Sequence, residues 1–283
     1  MARGDGEQAA GRASPLPARL LAWSGGALVG AAWLSAGLFG TYIVFHYAGA
    51  ILAGTPEQWN ANLPGLFAPR IPASTAGIAV HFAAGGILLL LGPVQLLGRV
   101  RRRWPALHRW TGRLYACCAL AAGLGGLAFI VSAGTIGGPA MNVGFGLYGL
   151  LITLAAAETW RHARARRLPG RLERHRAWAI RLFALAIGSW LYRMDYGFWF
   201  LATDGAGHMQ DFSGWFDQIM DFAFYVPNLL LAEVFIRARA AVQRPTLQLG
   251  GALLLVLAAA FIALATFEFA RLYWIPGIVA RLA

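Results

Sequence analysis

The sequence predicts an all-α fold: a polytopic transmembrane helix bundle of seven spans, N-terminus inside, C-terminus outside. Three observations carry this. The 283 residues are 58% hydrophobic and only 13% charged, whereas charged residues make up about a quarter of an ordinary soluble domain. Apolar runs recur at the length of about 20 residues that a helix needs to cross hydrocarbon. The loops between them alternate between arginine-rich and arginine-poor.

Taken in order, residues 1–18 are polar and contain glycine and proline, the composition of a disordered segment; a cytoplasmic N-terminus is expected there. The run that follows is too long for a signal-peptide core and lacks a small-residue cleavage site. It reads as a retained first span, 20–48. Further spans are expected at 74–98, 109–133, 140–162, 176–201, 217–238 and 247–273. Together, 19–275 form a single transmembrane helical domain, with 276–283 a short external tail. The loop 53–72, rich in proline, asparagine and glycine, is expected to form an external cap. No sustained period-two alternation supports strands, and no solenoid repeat is present.

All 24 basic residues are arginine, and the net charge is +12. A basic balance is one mark of nucleic-acid binding, but here the arginines occupy short loops between apolar runs. No nucleic-acid partner is expected; the partner is the lipid bilayer. The N-terminus and the stretches 99–113, 161–181 and 237–244 hold 3, 6, 8 and 3 of the arginines. The alternate loops 53–72, 134–139 and 202–216 hold Arg70 alone, with Glu57, Asp204 and Asp211. Cationic loops stay on the cytoplasmic side, which sets the orientation. Tryptophans mark both interfaces, with Trp23, Trp104, Trp110, Trp160 and Trp178 inside and Trp59, Trp199, Trp215 and Trp274 outside. Cys117 and Cys118 are adjacent in an apolar run, without metal or redox spacing, and read as small buried hydrophobes.

Polar residues inside spans are where function is sought. At helical periodicity, the face of His81 includes Ser74, Gly77, Gly85, Leu88, Gly92, Gln95 and Arg99. A small and polar stripe belongs against neighbouring helices. The fifth expected span is the most polar. Arg193 lies too deep to reach the inner surface, with Asp195 as its expected partner, while Arg181 snorkels inward. Asp217, Asp221 and Asn228 share a face of the sixth. Depth sorts these groups into an outer set (His46, His81, Arg193, Asp195, Asp221, Glu268) and an inner set (His108, Arg109, Arg113, Glu158, His162, His175, Arg176, Arg181, Glu233). Glu268 is expected to pair locally with Arg271. His162 and His208 read as interfacial or loop residues.

His81, the GPVQ segment 92–95, the LHRWTGRLY segment 107–115 and the HRAWAIR segment 175–181 with Arg193 downstream resemble the bacterial membrane-protein family catalogued as domain of unknown function 2306. The resemblance covers about 75–200. It implies a multi-pass protein of the bacterial plasma (inner) membrane and no established activity. A weaker similarity is to cytochrome b561-type proteins, in which histidines on neighbouring helices hold two b haems, one near each face. That similarity implies haem b as cofactor. His108 and His175 would suit an inner haem, their neighbours Arg109 and Arg176 pairing with propionates. On the outer side, His81 finds no histidine at 141–144, and His46 is the nearby substitute.

Two functions follow. One is a b-type haem-binding electron-transfer protein, a membrane oxidoreductase component with a redox partner. The alternative is a transporter or small-molecule binder whose cavity is lined by His81 and Arg193, with Asp195, Gln95 and Asp221 as further buried polar candidates. Phosphate-loop, nucleophile-elbow and zinc-protease motifs are absent from the sequence.

Overall fold

A computed structural model describes residues 15–61, 66–68, 70–165, 169–241 and 243–282, and among these every regular element is helical. Among the described residues, six helical stretches are long and apolar enough to cross a bilayer. They are α1 (Leu16–Leu52), α2 (Pro72–Leu96), α4 (Pro105–Ala133), α5 (Gly138–Arg164), the stretch Trp215–Ala240, and α10 (Pro245–Val279). A short α3 (Gly98–Arg103) holds four arginines between α2 and α4. The stretch Trp215–Ala240 breaks into α8 (Trp215–Ala223) and α9 (Val226–Ala240) ahead of Pro227, which takes a first-turn position where its missing N–H costs nothing. The disordered N-terminus expected at 1–18 falls mostly outside the described residues. The expected tail at 276–283 is instead a continuation of the last helix, through Leu282.

The run expected as the fifth of seven spans, 176–201, is two helices: α6 (Arg171–Ala186) and α7 (Gly188–Thr203). They meet at Ile187, which still donates its N–H to Phe183 O and accepts from Leu191 N. Each half spans only about 24 Å at 1.5 Å per residue, and the first carries Arg171, Arg174, Arg176 and Arg181. Neither half qualifies alone by length and composition. Yet residues 182–188 are buried without interruption, so this junction sits inside the bundle.

Packing runs α1 on α2, α2 on α4, α4 on α5, α5 on α6, α6 on α9, α9 on α10, and α10 back on α1. Helices α2 and α4 meet backbone to backbone. A methyl group on Gly77 would stand 2.9 Å from Gly125 O, and one on Gly125 would stand 2.8 Å from Gly77 O. Only glycine permits such an approach. Large apolar side chains on the outer surface remain uncovered by protein, among them Leu34, Leu52, Val131 and Phe267. A bilayer covers such a surface, and the helices satisfy their own backbone groups within it.

Candidate functional site

A cavity of about 1930 Å³ lies within this ring. One wall comes from α1 and α10, through Leu21, Val29, Trp33, Leu255 and Phe261. The facing wall comes from α2, α4, α6 and α7, through Gly92, Tyr115, Phe183, Leu191 and Phe198. Its composition is graded. At the end rich in loop arginines stand His108, His175, Arg101, Arg109, Arg113, Arg164, Arg176 and Arg239. Deeper in, the lining is aliphatic and aromatic, with Asp195 and Trp199 towards the far end of α7.

The two inner histidines are held differently. His175 Nδ1 lies 3.0 Å from Thr159 O. A carbonyl only accepts, so Nδ1 carries the hydrogen and Nε2 keeps its lone pair. His108 Nδ1 faces Gln95. With the Gln95 amide oriented to satisfy its neighbours, its nitrogen donates to His108 O at 3.3 Å and to His108 Nδ1 at 3.2 Å, and its oxygen accepts from Gly112 N at 3.2 Å. His108 Nδ1 is then an acceptor, and its Nε2 carries the hydrogen. One imidazole offers a lone pair and the other an N–H. Tyr115, two turns from His108 on the same helix, adds a buried hydroxyl without a hydrogen-bond partner in the cavity wall.

The structure thus brings together His108, His175, Arg109, Arg176, Gln95 and, at the far end, Asp195. It does not bring the outer set to the same place. His81 turns to α4, its Nδ1 2.9 Å from Ala122 O, because the small-residue stripe of α2 is consumed in the Gly77–Gly125 contact. His46 lies in a π-turn of α1 against the rings of Tyr42 and Tyr47. Arg193 is exposed, donates to Ser189 O at 3.0 Å and sits over Phe39. Neither His81 nor Arg193 lines the cavity, which corrects the cavity expected from the sequence. Nor do Arg193 and Asp195 form an ion pair among the described residues. Positions two apart on a helix point to different faces. Asp221 lies outside the lining, wholly buried.

Other inner groups find partners that spacing alone conceals. Arg181 Nε meets Glu233 Oε1 at 2.5 Å across α6 and α9, with its guanidinium over Trp178. His162, expected at an interface, is buried, with Nε2 3.3 Å from Glu158 Oε2. Glu268 pairs with Arg271 at 2.8 Å. A site missed in the sequence centres on Asp217, which His208 and Tyr196 both reach. The signal was available as a histidine and an aspartate nine positions apart, but only the turn over 204–214 folds one onto the other.

This is a multi-pass α-helical membrane protein with a graded internal cavity. The chain belongs to the family described as "Predicted membrane protein (DUF2306)", whose model matches residues 78–236, more than half of its length. No curated protein and no solved structure matches the chain. The matched segment holds α3 to α8 and most of α2 and α9; α1 and α10, which form the opposite cavity wall, lie outside it.

Proposed function

We propose that the cavity binds an amphipathic anion, with the acidic head among the arginines at its basic end and the apolar body along Val29, Phe183, Leu255 and Phe261. The observation that carries this is the grading of one continuous lining. Six arginines and two histidines stand at one end, and apolar side chains line the depth. Guanidinium groups hold carboxylates and phosphates bidentately. The His108 Nε2–H adds a donor to the head, while the His175 Nε2 lone pair suits a head that retains a hydrogen, such as a hydrogen phosphate. Whether the occupant is carried across the bilayer or retained distinguishes a transporter from a binding protein.

Haem b is a second reading, favoured by one arrangement: two imidazoles on one cavity, each followed by an arginine. His175 suits an axial ligand, since metal-bound imidazoles commonly donate the other N–H to a carbonyl. His108 does not suit it while Gln95 donates to its Nδ1. When bound, haem would supply one-electron redox chemistry, and Arg109 and Arg176 would hold its propionates. Among the described residues no cluster of three or more metal-ligating side chains occurs, so a non-haem metal centre is not part of this proposal.

The topology belongs to the same reading. The arginine split supports seven spans, with α6 and α7 crossing together, the N-terminus in the cytoplasm and the C-terminus outside, in a bacterial plasma membrane.

Energy transfer from the cavity tryptophans to cis-parinaric acid, a fluorescent fatty acid, tests the main reading in detergent-solubilised full-length protein. Saturable binding is expected, weakened about tenfold in the double variant Arg109→Gln, Arg176→Gln, as losing charge-assisted contacts implies. Displacement by oleyl alcohol as readily as by oleate would sink the anion reading. An absorption spectrum of the same preparation after haem addition separates the second: a Soret band lost in His175→Ala supports haem, and no band removes it.

A further inference from the structure

Helix α8 carries two aspartates one turn apart, and their surroundings are opposite. Asp217 is wholly buried and fully engaged. It accepts from Met209 N and Gly214 N at 3.0 Å and from the Tyr196 hydroxyl at 2.7 Å, and His208 Nδ1 lies 2.7 Å from its Oδ1. Asp221 is equally buried, and neither of its oxygens has a hydrogen-bond partner among the described residues. Its backbone presses on Gly144 of α5. The ionisable groups facing it are Asp217 on its own helix, Tyr192 on α7 and Tyr225 at the start of α9. None of these is a cation. A bare carboxylate in such a place costs several kcal/mol or more, whereas a neutral carboxylic acid does not carry that cost.

A hydrogen-bonded chain leads away from this site towards the loop. Tyr196 has one hydroxyl hydrogen, and gives it to Asp217. Its 3.3 Å contact with Tyr192 must therefore use the Tyr192 hydrogen. The chain Tyr192, Tyr196, Asp217, His208 starts in the aromatic core beside Phe145 and Phe224 and ends at a loop side chain that is 18% exposed.

We propose that Asp221 is a proton-carrying site that exchanges with the external side through Tyr192, Tyr196, Asp217 and His208. In one outward transfer the Asp221 O–H breaks and the Tyr192 oxygen takes that proton. Tyr192 hands its own hydrogen to the Tyr196 oxygen, and Tyr196 hands its hydrogen to Asp217. Asp217 keeps that proton on Oδ1, and His208, entering as imidazolium with its Nδ1–H still on Asp217, releases its Nε2 proton to water. Asp221 is left as carboxylate, one proton appears outside, and no electron moves. The reverse sequence refills the site. Rotation of the Asp221 carboxyl, or one bridging water, completes the step to Tyr192. The proposal is independent of what fills the cavity, since Met220 and Ala223, not Asp221, are the α8 residues nearby that line it.

Infrared spectroscopy of the full-length protein in lipid nanodiscs, transferred from H₂O to D₂O, tests this. A carboxylic-acid C=O band is expected that is missing in Asp221→Asn and shifts as deuterium enters. Tyr192→Phe and Tyr196→Phe keep the rings and the packing, and each should slow that shift by about tenfold, a barrier increase near 1.4 kcal/mol. If Asp221→Asn fails to fold, ¹³C-labelled aspartate identifies the band in the unmodified protein. Absence of a protonated aspartate band overturns the proposal, and so does exchange at an unchanged rate in both phenylalanine variants.

Discussion

Single residues set the closeness of this bundle. Gly77 and Gly125 put two backbones in contact, and neither has room for a methyl group. Gly77→Ala is expected to destabilise the protein by about 1–3 kcal/mol, the usual range for overpacking. Thermal unfolding in detergent reads this directly, and an unchanged midpoint would mean that the α2–α4 contact is looser than the distances indicate. The same scale explains His81. Its expected place on a buried face follows from its stripe, but its role there is a hydrogen bond to Ala122 O across the glycine contact. Outside the spans, Asp211 illustrates the ordinary case: the Ser213 hydroxyl and amide donate to it and hold its carboxyl below the usual aspartate range.

Among elements, α6 and α7 matter most. A run bearing four arginines in its first helix would be a poor span by itself. It is stable here because its apolar half, 182–188, is enclosed by neighbouring helices and because Arg181 is neutralised by Glu233 of α9. About a quarter of each of these side chains is exposed. Their coupling should therefore fall near 1–2 kcal/mol, at the lower end for charged hydrogen bonds. A double-mutant cycle with Arg181→Gln and Glu233→Gln measures it. Coupling below about 0.3 kcal/mol, the level of additive sites, would mean that the pair does not tie α6 to α9.

For the whole molecule, the decisive feature is that two helices outside the family match close the cavity. Helices α1 and α10 pack on each other along their length, and each has a π-turn late in its course, at Val44–Ala48 and Ala270–Trp274. Phe39 and Trp274 meet near these turns at 5.6 Å between ring centroids. The orientation of the assembly is testable with reporter fusions after residues 20, 65, 105 and 283. Cytoplasmic signals are expected at 20 and 105 and external ones at 65 and 283. A cytoplasmic signal at 283 or an external one at 105 would reject the topology. Both outcomes follow from the side preference of arginine-rich loops.

The sequence by itself determined that this is an all-helical, multi-pass membrane protein, and roughly where six of its apolar helical stretches lie. Hydrophobic run length is a local quantity, legible without knowledge of neighbours. It also determined that the face of His81 would be turned inward, because stripes follow from helical periodicity alone. Tertiary structure decided which polar residues meet. His108 and His175 are 67 positions apart in sequence, yet line one cavity because α6, which carries His175, packs on α2 and α5, the neighbours of α4, which carries His108. Arg193 and Asp195 are near in sequence, yet diverge because the helix turns them to different faces. The tautomers of the two cavity histidines depend on Thr159 and Gln95, contributed by other helices. Contacts of that kind are set by how whole helices rotate and cross, and no local pattern encodes them.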